Sequence, residues 1–226
     1  MDLTQQSVAP RGGSSSPAAA GPVAPAAGPV APAVSSAGPA DRVRIVLREP
    51  FRAETWRRMA YIVLALPVTL LCIPLALAGG PVGRIQRGLA RRLLRVDAGE
   101  PARTGPLALV HAVVSSPLNL VALTVCGYFW TIVVINFGFP LRTDGDPSHS
   151  WGGPTMAGAW AVHAVGGGVT FLFLTPWVAR GFTALQTRLV SGFLGADRTG
   201  LARHTWIALG IAAVCALLSV PVIHQL

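Results

Sequence analysis

Long apolar runs alternate with arginine-rich stretches along most of the chain. An α-helix needs about 20 mainly apolar residues to cross the hydrocarbon core of a bilayer. The third and fourth apolar runs have that length, whereas the second is overlong and contains Pro117. We therefore expect a span over about 117–140, preceded by a helical entry along the membrane interface. The four runs cover residues 60–78, 107–140, 157–178 and 206–223.

The composition agrees with a membrane protein. Hydrophobic residues make up 52% of the chain and charged residues 12%, and the mean hydropathy is +0.55. A soluble domain carries about 25% charged residues. The sequence therefore predicts an all-α integral membrane protein with four hydrophobic segments. The three cysteines all lie in apolar runs without metal or disulfide spacing, and we interpret them as small buried side chains: Cys72, Cys126 and Cys215.

Residues 1–40 form a segment of different character. They are rich in Ala, Pro, Gly and Ser and contain the near-repeat "AAGPVAPAAGPVAPAV". Such a segment cannot bury enough apolar surface to offset its ordering entropy, so it is predicted to be a disordered tail. It lacks the basic region and uninterrupted apolar core of a signal peptide. A docking tail is the alternative.

The distribution of arginine predicts an orientation. The net charge is +9, and all 18 basic residues are arginine. Six arginines lie in 41–58, six in 79–105 and four in 179–204, but only Arg142 lies in 141–156. The positive-inside rule places the loop 141–156 outside a plasma membrane and the other three segments, with the N-terminal tail, in the cytoplasm. The basic charge is thus assigned to anionic lipid headgroups as partners, and not to nucleic acid.

The first apolar segment conflicts with this rule, because both of its flanks are basic. It contains Pro67 and Pro74 and ends in Gly79-Gly80-Pro81. A re-entrant hairpin broken at the prolines would keep both flanks in the cytoplasm. The sequence favours that form. The alternative is a plain span with an exported N-terminus.

Two stretches have the pattern of basic amphipathic helices that lie in the headgroup layer. In the first, Ile85, Leu89, Leu93 and Val96 share one helical face, opposite Arg84, Arg87, Arg91 and Arg95. In the second, Phe182, Leu185, Leu189 and Phe193 form the apolar stripe, and Arg180 and Arg188 mark the polar side. The six arginines are predicted contacts for lipid headgroups or a partner protein.

The two stretches close two degenerate repeats, predicted over about 51–97 and 105–196. The predicted domain organisation is therefore a tail over 1–40, a membrane domain over 41–204 and an additional C-terminal transmembrane helix over 205–226.

Polar side chains at two places suggest sites for a signal. The loop 141–156 contains carboxylates, an imidazole and an indole, which could bind a cation or ligand, although Asp-Gly and Asp-Pro are also ordinary turn sequences. Within apolar segments, His111, His163, Asn119 and Asn136 are expected to face the bundle interior. The sensing candidates are Asp144, Asp146, His149, Trp151 and His163.

The stretch "FRAETWRRMAYIVLALP" and the closing stretches "RGLARRLLRV" and "PWVARGFTALQTRLVSGFLG" resemble the sensor domain family of actinobacterial membrane proteins. The resemblance covers about residues 51–196 and implies the membrane half of a sensor that is often fused to a histidine kinase. The family has two full spans before its first basic helix, where this chain has room for one span or a short hairpin. No kinase-like sequence follows.

The predicted function is a stand-alone membrane sensor that perceives an envelope or lipid-phase signal and relays it to a separate histidine kinase or regulator, with homo-oligomerisation open. The alternative is a structural or accessory subunit of a membrane complex such as a transporter. A lipid-modifying enzyme is a third alternative. The sequence shows no nucleophile–base pair, carboxylate pair or metal cluster, so no catalytic residue, metal or cofactor is predicted.

Overall fold

The computed structural model describes residues 38–99, 105–142 and 146–223. The predicted tail up to residue 37 lies outside the described residues. The described part is helical and contains no β-strand. Its helices are α1 (Pro39–Arg48), α2 (Ala53–Leu77), α3 (Val82–Leu94), α4 (Gly105–Phe137), α5 (Met156–His163), α6 (Thr170–Leu194) and α7 (Leu201–Ile223).

Helix α2 is one continuous helix of 25 residues, although it contains Pro67 and Pro74. The chain reverses only after the helix, where the Gly80 amide donates to the Leu75 carbonyl at 2.8 Å and the Gly79 amide to Ala76 at 3.1 Å. Gly79 has a φ of +76°, as this type of helix stop requires. The favoured re-entrant hairpin is therefore not formed, because the prolines do not break the helix.

Helix α4 is also longer and more regular than expected. It runs through Pro117 without interruption for 33 residues. Its first turns do not form a separate interfacial entry, since Ala108, His111 and Ala112 are buried in the bundle. The expectation that the span begins near Pro117 is wrong, because this first part packs against helices on several sides.

Helices α2, α4 and α6 form the centre of the bundle, with α4 antiparallel to the other two. The Trp56 and Trp130 rings lie 5.3 Å apart near one end of the α2–α4 pair. Phe193 and His111 rings lie 6.0 Å apart near the other end of the α4–α6 pair. Helix α7 packs against α4 and α6. It begins at Leu201, close to the predicted boundary of the last helix.

Helix α3 turns back from α2 and packs against α2, α4 and α6. Its buried line is Val82, Gln86 and Ala90, one turn apart. Ile85, which was predicted to head the apolar stripe, is 41% exposed. The buried face is therefore rotated from the predicted one, because the neighbouring helices accept the small Ala90 and the polar Gln86.

The second predicted amphipathic helix is not a separate element. It forms the C-terminal part of α6, which runs on from α5 through a π-helical segment at Ala164–Val169. Thr183, Gln186 and Leu189 are buried against the bundle, while Arg180 and Arg188 are exposed. Its environment thus differs from that of α3, which is set apart by turns at both ends.

The continuity of α2 decides which segments share an end of the bundle. Because α2 and α4 are antiparallel, residues 49–52 lie at the same end as 138–142. Helix α3 and residues 195–200 lie at the opposite end. The lead-in and the loop after α4 therefore share a side of any membrane that α2 crosses. The two expectations, a cytoplasmic lead-in and an external loop, cannot both hold in this arrangement.

Cysteine labelling tests the shared end. We expect Arg48→Cys and His149→Cys to react with a membrane-impermeant maleimide from one side of the membrane, and Arg92→Cys from the other, because α2 separates them. Intact and permeabilised cells are compared by gel shift. Joint labelling of Arg48→Cys and Arg92→Cys would support the hairpin instead. Each cysteine is introduced into a variant of the protein in which the native cysteines are replaced with alanine, namely Cys72, Cys126 and Cys215.

The π-helical segment brings two of its three consecutive glycines against the end of α4. A Cβ atom on Gly167 would collide with the Asn136 side chain, and one on Gly168 would lie 3.0 Å from the Phe137 ring. Gly166 faces open space. The Asn136 amide donates to the Ile132 carbonyl at 2.8 Å. The glycine run therefore serves close helix packing, as expected for small residues in membrane bundles.

A pair of alanine substitutions tests this packing. Gly167→Ala should lower the melting temperature of the detergent-purified protein, because the new methyl group displaces Asn136 from its hydrogen bond, at a cost of about 1 kcal/mol. Gly166→Ala is the matched control, which should leave the melting temperature unchanged or raise it. Equal effects of the two substitutions would contradict the close approach.

Candidate functional site

A line of polar side chains runs along the buried face of α4. His111, Ser115 and Asn119 are spaced one turn apart and are 3%, 0% and 3% exposed. Buried polar partners reach this line from the three helices that pack against it: Thr69 of α2, Gln86 of α3 and Gln186 of α6. We call these six side chains the polar line. All six are buried in the apolar bundle, and polar groups at such places are candidate functional groups.

His111 connects α4 to α3. Its Nδ1 lies 2.8 Å from Oε1 of Gln86. Because an amide oxygen only accepts, Nδ1 carries the proton and donates, which leaves Nε2 of a neutral ring as an acceptor. The ring edge rests against Phe193 of α6 at 6.0 Å. His111 is therefore held between α3 and α6 in one orientation and one tautomer.

Asn119 connects three helices at once. Its Nδ2 donates to the Thr69 hydroxyl at 3.0 Å, and its Oδ1 accepts from Nε2 of Gln186 at 2.6 Å. Each contact joins residues on different helices, at a depth where water cannot easily replace a lost partner. Asn119 thus fixes the positions of α2, α4 and α6 relative to one another along the bundle axis.

The polar line is only partly satisfied by protein atoms. Four of its buried atoms have no hydrogen-bond partner in the described part of the chain. Such groups normally bind ordered water or a polar ligand, or take part in alternative pairings. Four of the six such atoms found among the described residues therefore belong to the polar line. The atoms are Nε2 of Gln86, Nε2 of His111, Oγ of Ser115 and Oε1 of Gln186.

Three of the six predicted arginines converge on one surface cleft. Arg84, Arg87 and Arg91 line a cleft of about 380 Å³ between α3 and residues 96–99, which run back along that helix. Arg87 is half-buried and its Nη1 donates to the Leu194 carbonyl at 3.1 Å. The predicted basic face of α3 therefore exists, but a returning segment of the chain partly covers it.

The other three arginines lie elsewhere. Arg95 ends α3 with a φ of +57° and is exposed. Arg180 lies 5.8 Å over the Trp177 ring, and Arg188 is exposed farther along α6. Hydrogen bonds from Thr199 lower the pKa of Asp197, and the nearby Arg188 adds to this. The six arginines thus do not form one continuous basic surface.

The loop candidates are exposed and held by turn contacts. The Ser148 hydroxyl and amide lower the pKa of Asp146 through hydrogen bonds, the amide at 3.0 Å. Trp151 is 83% exposed, and His149 is also exposed. Asp144 lies outside the described residues. Within the described residues, no three His, Cys, Asp or Glu side chains come together in a metal-binding arrangement.

His163 lies at the start of the π-helical segment and is half-buried. Its ring stacks on Phe139 at 4.2 Å, and Nδ1 donates to the Ala159 carbonyl at 2.8 Å. Trp160 on the same turn donates to the Phe137 carbonyl at 3.1 Å. His163 therefore packs the end of α4 onto α5, and its role in sensing stays a prediction.

Sequence reasoning noticed His111 and Asn119 but missed their partners. Neither Gln86 nor Gln186 was predicted to be buried, because each belongs to an arginine-rich amphipathic stretch. A signal was present, since Gln186 is one helical turn from Phe182 and from Val190 on the side that packs inward. Ser115 gave no comparable signal, because a single serine in an apolar run is common.

Within the residues that the structure describes, four helices are long and apolar enough to cross a membrane, as in a multi-pass membrane protein. Comparison with protein-family models, curated proteins and solved structures finds no match to this chain. The resemblance to the sensor domain family therefore stays a prediction. The four helical stretches are Ala53–Leu77, Gly105–Phe137, Met156–Leu194 and Leu201–Ser219.

A double-mutant cycle tests the polar line. Asn119→Leu and Gln186→Leu should each destabilise the protein, because each removes the hydrogen bond between the two amides and leaves one polar atom of the remaining amide buried without its partner. The double variant should recover about 1 kcal/mol of the summed loss in unfolding free energy. The measurement is unfolding in mixed micelles. A cycle of Gln186→Leu with Thr131→Val, whose hydroxyl contacts only its own helix, should show no coupling. Equal coupling in both cycles would refute the direct contact.

Proposed function

We propose that the chain is a stand-alone membrane sensor that perceives an envelope or lipid-phase signal and relays it to a separate signalling protein. The observation that carries this proposal is the contact between Gln86 and His111. It connects α3, which presents arginines at the surface, to the polar line inside the bundle. A change of packing within the bundle would then move the basic surface of α3, and a partner protein bound to that surface would respond to the movement.

The polar line is suited to two alternative arrangements. Gln86 hydrogen-bonds His111 through its Oε1, while its buried Nε2 has no hydrogen-bond partner in the described part of the chain. Because several polar atoms of the line have no protein partner, pairings can be exchanged without leaving more groups unsatisfied. Switching proteins use elements of this kind, with two packings of similar free energy.

The proposed orientation places α3 in the cytoplasm. Among the described residues, seven arginines belong to segments 79–99 and 195–204 at that end, and seven to segments 41–58 and 138–142 at the other end, where two of them pair with glutamates. At the other end, Glu49 pairs with Arg52 at 3.2 Å, and Glu54 pairs with Arg58. The plasma membrane is the proposed location, with a histidine kinase or response regulator as the proposed partner.

An accessory subunit of a membrane complex is the second candidate, and the surface of α7 favours it. An apolar groove of about 650 Å³ lies between α4 and α7. It is lined by residues such as Leu120, Val121 and Leu218, and Leu218 is 67% exposed. A transmembrane helix of a larger complex would fit such a groove.

In-membrane photo-crosslinking distinguishes the two functions. A photo-reactive amino acid at Arg91 should capture a signalling protein if the chain is a sensor, because α3 is the proposed output surface. The same group at Leu218 should capture a membrane subunit if the chain is an accessory protein. Captured proteins are identified by mass spectrometry. Recovery of lipid alone at Arg91 would count against the sensor.

A further pair of variants tests whether α3 transmits changes in the bundle to the surface. Gln86→Leu removes the contact to His111 while leaving Arg91 in place, and it should change the yield of the Arg91 adduct. Ile85→Leu, which alters an exposed neighbour, should leave that yield unchanged. An adduct insensitive to Gln86→Leu would show that α3 binds a partner without reporting on the bundle.

A further inference from the structure

We propose that the cleft formed by Arg84, Arg87 and Arg91 binds the phosphate group of an anionic phospholipid headgroup. We call it the arginine cleft; its other wall is residues 96–99. This proposal goes beyond the proposed function and does not depend on it, because the lipid could bind whether or not the chain signals. It assigns one localised lipid site, where the sequence predicted only a diffuse basic surface.

The backbone of α3 and its return segment build the cleft. Arg84, Arg87 and Arg91 follow one another at helical spacings of three and four residues, so they share one side of α3. Arg95 then takes a left-handed conformation with a φ of +57°, which turns the chain back over that side. The result is a concave site of about 380 Å³. Three guanidinium groups around one concavity are suited to the oxygens of a phosphate.

The depth of the cleft favours a lipid over a soluble anion. Arg87 donates to the carbonyl of Leu194, the last residue of α6, so the cleft lies level with the end of a membrane-length helix. Headgroup phosphates lie at this depth when the helices span a bilayer.

Charge selects among phospholipids. The described lining carries three arginines and one carboxylate, Asp97, whose Oδ1 accepts the Gly99 amide at 3.1 Å. A lipid with a net negative charge, such as phosphatidylglycerol, is attracted to this lining. A phosphatidylcholine headgroup also carries a quaternary ammonium, which the guanidinium groups repel. The expected ligand is therefore an anionic phosphodiester lipid.

Two matched double variants test the site. Arg84→Gln with Arg91→Gln removes two charges that line the cleft, and Arg92→Gln with Arg188→Gln removes two exposed charges at the same end of the bundle that do not line it. The full-length protein is purified in a mild non-ionic detergent. Binding of phosphatidylglycerol and of phosphatidylcholine is then measured by native mass spectrometry. Melting temperatures check that each variant is folded.

The wild type should retain phosphatidylglycerol in preference to phosphatidylcholine. The cleft variant should bind phosphatidylglycerol at least about tenfold more weakly, as expected for the loss of two arginines at a membrane surface. The control variant should stay within about twofold of the wild type. Equal losses in the two variants would show diffuse attraction and overturn the proposal, as would equal binding of the two lipids by the wild type.

A second arm separates lipid from soluble phosphate. Glycerol 3-phosphate and inorganic phosphate are added in competition with phosphatidylglycerol. Displacement only at concentrations far above that of the lipid supports a headgroup site. Displacement at concentrations equal to that of the lipid would overturn the lipid assignment. Crosslinking at Arg91 addresses the signalling role separately, so failure of either proposal is recognisable on its own.

Discussion

Inside an apolar bundle, a side-chain amide must find its partners on neighbouring helices, because water and lipid offer it none. Asn119 meets this requirement by donating to Thr69 and accepting from Gln186. The remaining arrangement of α2, α4 and α6 depends on this constraint, since a shift of any of the three by one turn would separate the pairs. Apolar packing alone would hold the helices together without fixing their relative heights.

The same constraint explains which face of α3 is buried. A helix that lay in the headgroup layer without contacting the bundle would bury Ile85 and Leu89 in the lipid and expose Gln86 to water. In the structure, Gln86 is buried against His111 and Ile85 is exposed. The small Ala90 allows α3 to approach the bundle closely, while Arg84 and Arg91 stay exposed and Arg87 reaches the Leu194 carbonyl at the end of α6. Helix α3 is thus both a member of the core and the carrier of a basic surface.

The number of apolar helices and the stop at Gly79-Gly80-Pro81 could be predicted from the sequence, because both follow from local rules. The path of α2 could not. The positive-inside rule places both basic flanks of α2 in the cytoplasm and therefore favoured a hairpin. In the structure, Pro67 and Pro74 are accommodated in a continuous helix. The polar line could be predicted only in part. His111 stands out as a polar residue in an apolar run, but its partner Gln86 lies in an arginine-rich stretch where a polar residue is expected at the surface.

A core that is tied by few polar contacts, some of them incomplete, differs from one built for stability alone. Each unpaired atom lowers the stability of this arrangement. By the same amount, it lowers the free-energy cost of moving to an arrangement in which that atom is paired. Ser115 and the free Nε2 of His111 lie one turn apart on α4, so a small movement of α3 changes the surroundings of both. The physical link between the membrane interior and the arginine cleft is therefore Gln86, the one side chain of α3 that hydrogen-bonds α4 in the described part of the chain.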